Sequence, residues 1–216
     1  MNELELKKLW QVTNDKLEQS FVIQKENIED ITRVKIHNLL SSMKPIKIFT
    51  LLIGILWVGI GGIALGSIYL YAFSEANKFF LFSATVQVLL TGIALFFYIY
   101  QLITIYQVDM TEPILKAQQK IASLKISTLW VTRILFLQLP VWTTFYWNTS
   151  MLENENWFQW IVQGIATLSF SFVAIWLFFN IKYENKDKKW FQLIFNGKEW
   201  TPLMKAMKLS EQIDKY

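Results

Sequence analysis

The chain has no cysteine, a single histidine, only four prolines, and charged side chains at just 18% of its 216 positions. Without cysteine there is no disulfide framework, no thiolate nucleophile and no Cys-ligated zinc. A soluble domain carries about 25% charged residues, and here the deficit is concentrated rather than spread. No charged residue occurs in residues 48–74, 79–108, 134–152 or 156–181. Crossing the hydrocarbon core of a bilayer takes roughly 20 predominantly apolar residues. Four such runs exclude an ordinary soluble enzyme, and the apolar content excludes a disordered chain. Catalytic signatures are missing as well: there is no P-loop, no GxSxG and no HExxH. The apolar runs hold no Asp or Glu for a proton relay, and His37 alone makes neither a metal site nor a catalytic triad. No catalytic residue, metal or cofactor is expected.

What is present is 53% hydrophobic and 16% aromatic residues. The pattern predicts an all-α membrane protein with four transmembrane helices at about 48–73, 79–101, 128–147 and 157–181. Lys and Arg number eight in residues 1–47, three in residues 109–125 and eight in residues 182–216, against Lys78 alone in the two remaining links. This positive-inside bias places both termini in the cytoplasm. It also accounts for the net charge of +4 without a nucleic-acid partner. The charged first 47 residues lack a signal-peptide pattern, so targeting is expected to come from the spans.

Three regions follow: N-terminal helices over 1–45, a membrane region over 46–181 with a cytoplasmic hairpin tip at 102–127, and C-terminal helices over 182–216. The N-terminal region reads as two helices. In the first, Leu6, Leu9, Trp10 and Leu17 share a face; residues 21–23 form an apolar break; the second starts with Asn27 as N-cap. Asp109-Met-Thr111-Glu-Pro113 is a stop and restart, after which residues 112–147 are expected to form one helix, kinked at Pro140. In the tail, Trp190 and Phe191 begin a stripe that Asn196-Gly197 ends, and Thr201-Pro202 opens a last helix beyond Trp200. Exposed members of the Leu6/Leu9/Trp10 and Trp190/Phe191/Trp200 groups are candidate cytoplasmic contact residues, while a packed internal core is the expected use of most of them.

Inside the spans, Gly59, Gly62 and Gly66 lie at i, i+3, i+7, a spacing that lets helix backbones approach closely. Packing within one subunit is the expected use, ahead of a dimer seam. Arg133 is the one ionisable side chain within a span, and is expected to snorkel to the headgroups or stack on Trp130. Gln87, Gln138 and Gln163, with Thr167 and Ser171, either bond across helices or line a polar path. Asn148-Thr149-Ser150 matches a glycosylation triplet.

The opening Glu3-Leu-Glu-Leu-Lys-Lys-Leu-Trp10, the Leu137-Gln-Leu-Pro140-Val-Trp142 segment and the tail from Lys189-Trp190-Phe191 to Gly197-Lys-Glu-Trp200-Thr-Pro202 resemble a group of uncharacterised bacterial inner-membrane proteins. Their genes often lie beside those of extracytoplasmic-function sigma factors. The resemblance implies a four-span protein of the inner membrane and a sigma factor as cytoplasmic partner, with no catalytic residue. It departs from recognised anti-sigma factors, which carry a larger N-terminal domain and often a zinc motif. A cytoplasmic protein partner or a homo-oligomer is the expected mode of action, and a small channel or transporter is the alternative.

Overall fold

The computed structural model describes residues 3–108, 114–148 and 157–213. Among these every regular element is helical: α1 Glu3–Ser41, α2 Lys44–Tyr71, α3 Lys78–Tyr106, α4 Ile114–Phe136, α5 Leu139–Thr144, α6 Trp157–Asn180, α7 Lys189–Phe195 and α8 Thr201–Ile213, with a short 3-10 turn at Tyr183–Asn185. Four helical stretches are long and apolar enough to cross a bilayer. They are α2, α3, the α4–α5 pair and α6.

The N-terminal region is one helix, not two. Residues 21–23 continue it and Asn27 lies in its interior. No Gly or Pro occurs between Glu3 and Lys44, and the small propensity deficits of Val22, Ile23 and Asn27 do not break a helix. A two-residue link barely interrupts it. Ser42 N–H donates to the Asn38 carbonyl at 3.0 Å, Met43 N–H to Leu40 at 3.1 Å, and Lys47 N–H to Met43 at 3.1 Å. Pro45 falls in the first turn of α2, where its missing N–H costs nothing. Trp10 to Tyr71 thus runs as a single 62-residue rod.

The long third helix expected over 112–147 is two helices. Pro140 has no N–H for the Phe136 carbonyl. The chain tightens ahead of it, with Leu137 N–H donating to Ile134 at 3.1 Å and Gln138 N–H to Leu135 at 3.2 Å. Helical bonding resumes as Trp142 N–H reaches Gln138 at 3.2 Å. The kink expected at Pro140 is therefore a full turn. The stop sequence at Asp109–Pro113 and the Asn148-Thr149-Ser150 triplet fall wholly or partly outside the described residues.

Apolar packing divides into two unequal cores. The larger gathers Ile36, Leu40 and Met43 from the first rod, Ile105 from the end of α3 and Val108 just beyond it, Ile121 and Leu124 from α4, and Phe191, Leu203 and Met207 from the tail. This is a helical lobe at one end of the bundle, built where the α3–α4 hairpin overruns the apolar spans. The smaller core joins Leu65 of α2 to Leu81 and Ala84 of α3. Around it most side chains of α2 and α6 point outward and apolar, as a lipid solvent requires.

Candidate functional site

The lobe meets the spans through a buried polar network that runs across three elements. Lys47, in the first turns of α2, is 2% exposed and donates from Nζ to Gln101 Oε1 of α3 at 2.6 Å. Its ammonium also lies 4.7 Å from the centre of the Tyr98 ring. Tyr98 OH donates to Glu199 Oε2 of the tail at 3.1 Å. Burying a lone ammonium is costly, and these partners supply an acceptor, a π face and a nearby carboxylate. Gln101 Nε2 and Glu199 Oε1 are buried and make no hydrogen bond. The network ties the tail to the first two spans. Nothing in the local sequence marks it: Lys47 lies 54 positions from Gln101 and Tyr98 lies 101 from Glu199.

Arg133 makes a second junction. Its Nε and Nη2 donate to the Ile181 carbonyl at 2.8 and 2.6 Å, and its guanidinium lies 5.1 Å from the Trp130 ring centre. The stacking expected from sequence is present, and the forked bond to a carbonyl just past the end of α6 is additional. A cation at a helix C-terminus satisfies an orphan acceptor and complements the helix dipole.

Of the other polar residues expected within the spans, Gln138, Gln163 and Thr167 tie helix to helix. Gln138 Nε2 donates to Thr91 Oγ1 at 3.1 Å, and the hydroxyls of Thr143 and Thr167 lie 2.9 Å apart. Gln163 donates to the Thr143 carbonyl, and Ser171 donates to the Thr167 carbonyl within its own helix at 2.7 Å. Ser83 and Thr144 hydroxyls lie 2.8 Å apart, a pair that sequence spacing did not single out. Gln87 is buried in α3. Asn77 caps α3, accepting from Phe79 N–H at 2.9 Å, while its Nδ2 donates to the Trp147 carbonyl at 2.6 Å.

The glycines picked out in the first span are placed otherwise than anticipated. A Cβ built at Gly59, Gly62 or Gly66 meets no atom within 4 Å, so these glycines do not pack within the chain. The close approaches belong to Gly54, against Leu95, and Gly61, whose Cβ would lie 3.2 Å from Val88 Cγ2. Packing against α3 selects the glycines on one face of α2, and the spacing alone does not say which face that is. Trp190, Phe191 and Trp200 have the internal-core use expected of most stripe residues and do not form an open contact surface. Phe191 and Trp200 are buried and Trp190 is half-buried against the same core. The rings of Phe191, Phe195 and Trp200 form a mutual cluster, with Phe195 4.3 Å from each of the other two and those two 6.1 Å apart. Beside them is an open groove of about 370 Å³ whose lining includes Phe195, Trp200, Met204, Lys205 and Lys208.

The remaining stripe is in the open. Trp10 is 71% exposed and Phe21 73%, with Leu17, Ile28 and Ile31 exposed beside them. Every residue from 10 to 28 is exposed; the side chains of Leu6 and Leu9 lie outside the described residues. Arg33, one turn before His37, pairs with Glu29 at 3.9 Å and Asp30 at 3.8 Å on its own helix. Among the described residues no group of three His, Asp or Glu stands close enough to hold a metal ion.

Four apolar helices capped at one end by a polar-jointed helical lobe define a multi-pass α-helical membrane protein. No protein-family model, curated protein or solved structure matches the chain.

Proposed function

We propose that this chain is a non-enzymatic multi-pass protein of the bacterial inner membrane, with both termini and the lobe in the cytoplasm, that acts by docking a protein onto the outer part of α1. The observation that carries the reading is the exposure of residues 10–28 on every side, with Trp10, Leu17 and Phe21 among them. In proteins most helical stability comes from tertiary packing of an apolar face, and the apolar side chains of this segment have no such cover within the chain. The lysine-rich ends support the orientation. A sigma factor is the cytoplasmic partner that the resemblance implies. The bonds that Gln138, Gln163 and Thr167 make across helices support a packed bundle rather than a path.

The test is affinity recovery from gently solubilised membranes, using the full chain and a variant lacking residues 1–28. The full chain is expected to bring down a protein, either a cytoplasmic partner or a differently tagged second copy, that the shortened chain does not. Equal recovery by both, or none by either, overturns the reading.

A further inference from the structure

We infer that the occupant of the α1 stripe is a second copy of this chain, paired with it in parallel and in register. The inference rests on the proposed docking role of α1 and names its partner.

Trp10, Leu17, Phe21, Ile28 and Ile31 lie at i, i+7, i+11, i+18 and i+21. At about 100° per residue these five project within an arc of roughly 80°. Ile36 and Leu40, the α1 residues buried in the lobe, project about a third of a turn away. The helix therefore has two apolar faces, one filled by its own chain and one unfilled.

Four observations select a second copy. Within residues 10–31 no charged residue falls on the stripe itself; its flanks are Thr13, Asn14, Ser20, Gln24 and Asn27, with Lys25 the one charge beside Phe21. Two identical stripes meet in register without bringing like charges together. The same segment holds two Lys against five Asp and Glu, so an anionic lipid surface repels it. The exposed parts of Trp10, Leu17, Phe21, Ile28 and Ile31 amount to about 500 Å² per helix, or roughly 1,000 Å² for two, the area a specific interface has to clear. Finally, the arm continues the first span as one rod from Trp10 to Tyr71. Two copies embedded in one membrane hold their stripes at the same height and in the same direction. That arrangement makes a closed twofold pair in which each residue faces its equivalent.

The absence of cysteine makes the test direct. Leu17→Cys places a thiol on the stripe and Gln19→Cys places one on the opposite side. Each purified protein, reconstituted in vesicles, is oxidised and run without reductant. Leu17→Cys is expected to give a reducible band at twice the monomer mass, at least roughly tenfold stronger than Gln19→Cys, because a disulfide needs Cα atoms within about 7 Å. Adding Trp10→Ala and Phe21→Ala to Leu17→Cys is expected to abolish the excess. Equal bands at both positions, or none at either, overturn self-pairing. Cross-linking in intact cells then separates this failure from that of the docking reading. An adduct of Leu17→Cys with a different protein leaves docking standing and overturns the second copy; no adduct of any kind overturns both.

Discussion

Trp200 and Trp10 are both large apolar residues in charged segments outside the spans, yet the first is 6% exposed and the second 71%. The tail stripe is covered by the chain itself. Phe191, Phe195 and Trp200 stack on one another and on the core made by Ile36, Leu40 and Leu124. The arm has no such cover, because α1 outruns every element beside it. Periodicity announces that a face needs burying and is silent about what buries it. The difference lies in tertiary packing, where one stripe is an internal joint and the other an unfilled surface.

The largest effect expected from this contrast is at the tail. Trp200→Ala removes a large buried ring and leaves a cavity between Phe195 and its neighbours, a loss of about 3–5 kcal/mol. Trp10→Ala, at a site where the monomer makes no packing, is expected to change stability by less than about 0.5 kcal/mol. Reversible chemical unfolding of monomeric protein in micelles measures both. Equal losses break the comparison, since they place Trp10 in a core of its own.

A smaller effect is expected where the covered lobe meets the spans. Lys47→Met keeps the bulk of the side chain and removes the donor to Gln101, leaving that buried carboxamide oxygen without its partner at a cost of about 1–3 kcal/mol. The double variant Lys47→Met, Gln101→Leu is expected to lose less than the sum of the two single variants, by about 1 kcal/mol, because the pair is removed together. Additive losses in the same unfolding experiment mean that the buried bond contributes nothing to the joint.

The sequence carried the four spans and the tail helices because both rest on local signals, namely apolar runs of spanning length and the Asn196-Gly197 and Thr201-Pro202 boundaries. It also marked Arg133 and the polar residues of the spans, since a polar group in lipid is conspicuous wherever it sits. The Lys47–Gln101–Tyr98–Glu199 network was not legible. Lys47 reads as one more interfacial lysine, and only the docking of the tail brings Glu199 beside Tyr98. The break expected at residues 21–23 was misread for a related reason. A short change in apolar pattern resembles a boundary, but without Gly or Pro the backbone has no cause to leave the helix.

The smallest effect carries the covered-versus-open contrast into the membrane itself. Gly54→Ala drives a methyl group into Leu95, and its Cβ would also lie 3.3 Å from Leu95 Cγ. The helix-propensity gain is then outweighed by strain, for a net loss of about 1 kcal/mol. Gly62→Ala meets open space, and is expected to stabilise the monomer by about 0.5–1 kcal/mol through backbone entropy. The two substitutions are chemically identical and sit eight residues apart on one helix, so opposite signs isolate packing from propensity. If Gly62→Ala proves as damaging as Gly54→Ala in lipid but not in monomeric micelles, the Gly59, Gly62 and Gly66 face is covered by another molecule. The uncovered part of this protein would then extend from the arm through the bilayer.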